Sequence, residues 1–240
     1  MDKQTVKIEN SADTLFIAHR GLSGIYTENT NAAFSEAAKC SYFGIETDIH
    51  PTADGEFVTI HDDTTRRVGN ENIQVESSSL QELRSIALKK KVGIEDEGYI
   101  PTLSEYIEIC KKYGKTAVVE LKNTFERNQV FKACELIERL GYMDKCIFIS
   151  FYFQNLLYIR MRYPKQALQY LVKKDSFGLI LRLRMHKIDL DIKHTAVTNE
   201  LVKKCHKHGI KVNCWTVDAP HTAQKLIESG VDFITTNILE

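Results

Sequence analysis

No Gly/Ser/Pro-rich stretch divides the 240 residues, so the sequence offers no point at which two small domains would part. One large domain spanning 1–240 is therefore expected. Net charge is missing too. The 32 Lys and Arg are balanced by 32 Asp and Glu, which argues against the broad basic footprint of a nucleic-acid binder or of a protein held to an anionic membrane. A local positive pocket stays compatible with this balance. No apolar run approaches membrane-spanning length, and Met1 to Asn10 lack the apolar core of a signal segment. The six cysteines, Cys40, Cys110, Cys134, Cys146, Cys205 and Cys214, form no C-x-x-C pair, and each falls in or beside an apolar pattern. Buried, reduced thiols are the plain reading. A cytoplasmic protein with no nucleic-acid partner and no stable membrane insertion follows.

What is present centres on Gly44-Ile45-Glu46-Thr47-Asp48-Ile49-His50. At the two-residue period of a strand, Glu46 and Asp48 share one face and Ile45, Thr47 and Ile49 the other. Two carboxylates side by side away from water need a compensating cation or proton, and a hard divalent metal with oxygen ligands answers that need. After Pro51, the Asp54-Gly55 reversal sends Glu56 to Ile60 back as a second short strand. That hairpin returns His61 opposite residues 47 and 48. The first strand, Thr14 to Ala18, ends in His19-Arg20-Gly21. Two histidines and an arginine around a two-carboxylate site point to acid/base chemistry on an anion, most simply a phosphate ester.

Taken in order, residues 1 to 13 read as polar lead-in, and Glu28-Asn29-Thr30 opens a helix carrying Phe34, Ala37 and Ala38 on one side. Residues 62 to 99 contain a turn-like Arg66 to Asn70, a short capped segment at Ser79 to Leu83, and a solvated run through Lys89-Lys90-Lys91, Gly93, Glu95, Asp96, Glu97 and Gly98. Together with the hairpin they make a small cap-like insertion at about 51–99. Pro101 to Glu105 has capping-box spacing and opens a helix with Leu103, Tyr106, Ile107 and Cys110 turned inward. Strand and helix then alternate: 115–121, 128–140, 145–150, 154–162. Ala167 to Val172 and Gly178 to Leu183 each have strand character, with little room for a long helix between them. Strands near 190, 213 and 233 follow, with helices near 199–208 and from Pro220. Setting aside the hairpin strand and one of the ambiguous pair leaves eight strands able to run parallel, which predicts a (β/α)₈ barrel with a small insertion after the second strand. An open, doubly wound sheet is the competing architecture.

Reactive groups in such a barrel gather at the C-terminal ends of the strands. His19, Glu46, Asp48, Glu120 and Trp215 all fall at those ends. Glu120 serves as a third carboxylate for the metal, and Lys122, in phase with it, neutralises phosphate oxygen. Each has a blander reading: Glu120 and Lys122 as the end of an exposed strand, the histidines as satisfied core or loop groups, Trp215 as barrel core. Phe151 in the run Phe151-Tyr152-Phe153 is a candidate pocket wall. His50, Asp62 and Asp63 are candidate helpers, with Asp62 placed to orient His61. His206 and His208 do not share a helical face and read as solvated.

These residues resemble the glycerophosphodiester phosphodiesterases. Ala18-His19-Arg20-Gly21, Glu28-Asn29-Thr30, Gly44 to Ile49, Asp54-Gly55 through His61-Asp62, Val119 to Lys122 and Val212 to Val217 carry the likeness, with 155–195 matching poorly. Thr27 stands where that family has Pro, and Cys214 where it has an apolar residue. The resemblance implies a barrel with an insertion after its second strand and one divalent ion, Ca²⁺ or Mg²⁺. It also implies a glycerophosphodiester substrate cleaved to glycerol 3-phosphate and an alcohol, with the substrate's 2-hydroxyl as a possible first nucleophile. In that scheme Glu46, Asp48 and Glu120 hold the metal and His19 and His61 move protons. Arg20, Lys122, Trp215 and Phe151 bind substrate, and Glu28, Asn29 and Asp62 support them. The alternatives are a phospholipase D-like or lysophospholipid-acting phosphodiesterase and a noncatalytic phosphate-ligand-binding barrel.

Overall fold

The computed structural model describes residues 4–91 and 98–240. Gly93, Glu95, Asp96 and Glu97 of the expected solvated run lie outside the described residues. In chain order the strands are β1 (Leu15–Ala18), β2 (Gly44–Pro51), β3 (Phe57–Thr59), β4 (Thr116–Leu121), β5 (Cys146–Ser150), β6 (Ala167–Val172), β7 (Asp189–Lys193), β8 (Val212–Trp215) and β9 (Phe233–Thr236). All but β3 run parallel, each beside the next, and β1 pairs with both β9 and β2, so the sheet closes on itself. The helices are α1 (Asn31–Lys39), α2 (Leu80–Ser85), α3 (Leu103–Tyr113), α4 (Arg127–Arg139), α5 (Phe153–Arg162), α6 (Leu179–His186), α7 (Asn199–Lys207) and α8 (Pro220–Glu228). All except α2 connect consecutive barrel strands, the right arrangement for a (β/α)₈ barrel.

Strand periodicity sorts the side chains into two layers. Ile45, Ile49, Val119 and Leu121 point outward and pack with Phe34, Leu103, Tyr106 and Ile137 of the helices. Ile17, Val118, Ile147, Ile149, Leu171 and Phe233 fill the barrel interior. Glu46, Asp48 and Glu120 share the parity of Val118, so the same alternation that buries the core turns three acids into the barrel. Thr102 and Glu105 form a full capping box at the start of α3, which seats Tyr106 for its hydroxyl to donate to the Ile45 carbonyl at 2.6 Å.

The insertion begins with β3, antiparallel to β2, with Ile49 opposite Thr59 and the Ile60 amide donating to the Asp48 carbonyl. Its own apolar cluster includes Val58, Ile60, Val75, Leu83, Leu88 and Ile100. Two readings from sequence need correction. Residues 179–183 belong to α6, not to a strand: Leu179 and Leu183, four apart, are both buried, and Gly178 at φ 80° provides the turn into the helix. The polar lead-in is also tied down, because Val6 bridges to Leu239 and Ile8 packs against the core. Among the described residues no helix is long and apolar enough to cross a membrane.

Candidate active site

Asp48 of β2 lies directly beside Glu120 of β4 in the parallel register, and Glu46 is one inward position earlier. One oxygen from each of the three comes within 4.8 Å of the others, and all three residues are buried. Oε1 of Glu46 accepts no hydrogen bond, and Oδ1 of Asp48 has only the Lys122 ammonium 3.2 Å away. Burial, reinforced by Asp48 and Glu120, pushes the Glu46 carboxyl well above the usual range. Burial and Asp48 likewise push Glu120 up to about 7, against the pull of Lys122. Asp48 goes the other way: burial opposes its charge, but Lys122 and Arg20 hold it well below an ordinary carboxylate. Three buried acids that converge on one point, with Glu46 Oε1 left without a partner and Glu46 and Glu120 kept by burial and by neighbouring carboxylates from ionising readily, fit a hard divalent cation. No other group of three candidate ligands occurs among the described residues.

A histidine stands on either side. Asn237, just past β9, donates through Nδ2 to Asp218 at 2.6 Å, which fixes its amide so that Oδ1 faces His19 Nδ1 at 2.8 Å. Ser23 donates to the same oxygen. Nδ1 of His19 therefore carries the proton and Nε2 is left for chemistry. Burial and the Arg20 charge lower the His19 pKa to about 4. His61 gives Nδ1–H to Asp62 at 2.6 Å, again leaving Nε2, and burial lowers its pKa while Asp48 opposes. His50, fully buried, bonds Glu76 through Nδ1 at 2.8 Å and reaches the His61 carbonyl through Nε2 at 3.4 Å. Asp63 accepts from Asn123.

The cations form a continuous chain with the acids. Arg20 Nε lies 3.1 Å from Asp48, and its Nη1 donates to Glu28 at 2.8 Å. Lys122 Nζ is 2.8 Å from Glu120 and 3.2 Å from Asp48. Asn29, in the left-handed region at φ 55°, donates to Asp48 at 2.8 Å and accepts from Thr47, so it braces the acid from behind. Arg67 closes the ring: it is bidentate to Glu28 (2.7 and 2.8 Å) and to Asp62 (2.6 and 3.2 Å). Sequence reasoning missed Arg67, which sits in a turn-like segment without periodicity. Asn237 was also missed, although its place just after a strand end was a usable signal.

His19, His61, Glu46, Glu120, Lys122 and Trp215 line a cavity of about 100 Å³ at the C-terminal ends of the strands. Phe151 and Trp215 wall it edge to face, with ring centres 5.5 Å apart. Of the aromatic run only Phe151 reaches it; Tyr152 is exposed and Phe153 packs in the outer layer. His206 pairs with Asp232, at the N-terminal end of the barrel. A larger groove of about 470 Å³, between Glu138, Met143, Arg162 and Tyr163, opens at that same opposite end and holds no acidic cluster.

Residues 19–240 match the sequence model of the Glycerophosphoryl diester phosphodiesterase family. The chain belongs to that family. It is 32% identical to the glycerophosphodiester phosphodiesterase of Caldanaerobacter subterraneus subsp. tengcongensis, over 93% of this chain and 94% of that one. Among solved structures it resembles an Oleispira antarctica phosphodiesterase in complex with the product sn-glycerol-3-phosphate (26% identity, TM-score 0.85, covering 93% and 92% of the two chains). It also resembles a glycerophosphodiester phosphodiesterase from Parabacteroides distasonis (27% identity, TM-score 0.80, covering 94% and 93%). As a glycerophosphoryl diester phosphodiesterase family member the protein is an enzyme, a phosphoric diester hydrolase, and the cavity just described is where its barrel collects reactive groups.

Proposed function

We propose that the protein hydrolyses glycerophosphodiesters to sn-glycerol 3-phosphate and an alcohol by metal-assisted His/His acid-base catalysis. The observation that carries this reading is the buried acid triad, with one Glu46 oxygen left without a partner, flanked by two imidazoles whose Nδ1 atoms are already engaged. Glu46, Asp48 and Glu120 hold one Ca²⁺ or Mg²⁺, which when bound supplies Lewis-acid stabilisation to the phosphate and eases deprotonation of the attacking hydroxyl.

The protein's own groups do the rest. Arg20 and Lys122 offset charge on the phosphate oxygens, Arg20 with two-point geometry. His61, bonded to the Asp62 carboxylate, is the better-supported imidazolium and protonates the leaving oxygen. His19, bonded to the neutral Asn237 amide and beside Arg20, stays uncharged and removes the proton. Phe151 and Trp215 pack against the glycerol carbons. Glu28, Asn29 and Asp62 keep Arg20, Asp48 and His61 in place. The whole chain, 1–240 with its insertion at about 51–99, works as one domain in the cytoplasm.

The test is release of glycerol 3-phosphate from glycerophosphocholine and glycerophosphoethanolamine, with and without chelator. Chelator-sensitive release supports the reading. Cleavage of lysophospholipids with no glycerol 3-phosphate from either diester would transfer the protein to the phospholipase D-like alternative.

A further inference from the structure

Gln169 of β6, Asp191 of β7, Asn213 of β8 and Thr235 of β9 form a polar layer on the barrel's inner side. Thr235 donates to Asn213 Oδ1 at 3.2 Å, and Asn213 donates to Gln169 Oε1 at 3.2 Å. Asp191 is 1% exposed, lines the same cavity as Glu46 and Glu120, and lies outside the acid triad. Its Oδ1 has no partner, and neither does the indole N–H of Trp215, a residue that lines the same cavity from the adjacent strand. Buried polar atoms left unpaired are costly, and two on one wall mark a place built for a ligand atom.

The chemistry of the two atoms identifies that ligand. Ile149, Phe151 and Leu171 make the surrounding wall apolar, which suits aliphatic carbons. A carboxyl oxygen accepts and an indole N–H donates, so a single hydroxyl satisfies both, giving its proton to Asp191 and accepting from Trp215. The phosphate already has Arg20 and Lys122 on the other side of the cavity, and a quaternary ammonium offers no hydrogen bond at all. We propose that Asp191 and the Trp215 N–H form a subsite for the glycerol hydroxyl remote from the scissile phosphate, and that Asp191 is a specificity-determining residue. This rests on the phosphodiesterase reading above and sharpens it: the enzyme discriminates at the glycerol end through one buried hydrogen-bonding pair. A site built to bond a hydroxyl rejects the analogue lacking it far more strongly than an apolar pocket rejects an extra methylene.

The experiment compares kcat/KM for glycerophosphocholine with that for the analogue carrying propane-1,2-diol in place of glycerol, which lacks only the remote hydroxyl. The wild type is expected to prefer glycerol by at least ~100-fold. Asp191→Leu should bring the ratio near one, while Asp191→Asn, which keeps an acceptor oxygen, should retain most of the preference. Trp215→Phe removes the N–H while keeping a smaller aromatic ring and should lower the ratio several-fold, so it decides the matter if Asp191→Leu does not fold. A wild-type ratio near one, or a wild-type preference surviving in Asp191→Leu or unchanged in Trp215→Phe, overturns the subsite alone. A wild type that cleaves neither diester overturns the parent reading with it.

Discussion

Replacing Arg67 by Gln should slow the enzyme although Arg67 lines neither the cavity at the strand ends nor the acid triad. Its guanidinium makes four hydrogen bonds, two to Glu28 and two to Asp62, and so joins Arg20 to His61 through a pair of carboxylates. The side chain is 45% exposed, so its contribution to stability is screened, and about 1–2 kcal/mol is a fair ceiling for two bidentate contacts. For a chain of this length that lowers Tm by only a few degrees, at ~2–4 °C per kcal/mol. The catalytic effect should be larger. Without Arg67, Asp62 no longer holds the His61 ring in one orientation and Glu28 no longer holds Arg20, and loosening either by an ångström costs about 10–100-fold in rate. Turnover of glycerophosphocholine under saturating substrate, with melting followed in parallel, measures both. The loss should fall on kcat more than on KM. Arg67→Lys should fail to restore it, since an ammonium cannot reproduce two forked contacts. A kcat within about twofold of wild type in Arg67→Gln, or full rescue by Lys, would refute the reasoning, the tolerance being small beside the ~10-fold expected.

Other outcomes follow from the same geometry. His19→Ala and His61→Ala should each lose roughly 10²–10⁴ in rate, and near-normal turnover in either removes that residue from proton transfer. Asp62 is held at about 2, with burial opposing and Arg67 and His61 prevailing, so its contribution to stability is present above the ordinary Asp value of ~3.9 and is lost as pH falls through about 2. Arg67→Gln should move that acid loss to higher pH, which urea titrations at pH 2 to 5 will show. Thiol labelling of the native protein should reach Cys40 first. The other five cysteines are buried, with burial pushing the Cys110 and Cys134 thiols up to about 12 and Cys205 to about 11. Rapid native labelling of all six would contradict the packing.

Most of the barrel could be read from the chain because two periodicities alternate cleanly and end signals mark the helices: Thr102–Glu105 at the start of α3, Pro220 at the start of α8, Gly209 just after the end of α7. The triad was legible for the same reason. Glu46 and Asp48 share a strand face, and Glu120 shares the parity of Val118, so alternation alone turns all three inward. The stretch at 178–183 was not legible, since Gly178-Leu179-Ile180-Leu181 is an apolar run that period cannot assign, and only the burial of Leu179 and Leu183 together identifies a helix. Arg67 and Asn237 stayed hidden because their partners, at Glu28, Asp62, His19 and Asp218, are set by tertiary approach rather than by spacing. Asp191 lies in a strand that reads as structural, and its unpaired oxygen becomes visible only when the cavity is closed around it.

Calorimetric titration of chelator-stripped protein with Mg²⁺ and with Ca²⁺, paired with glycerol 3-phosphate release at each metal concentration, tests the central assignment most directly. Binding of one ion per chain should restore turnover in step with occupancy, and Glu46→Gln and Glu120→Gln should weaken both together. Full turnover in stripped protein, or binding undiminished in those variants, would contradict the assignment of Glu46, Asp48 and Glu120 as the seat of a catalytic cation.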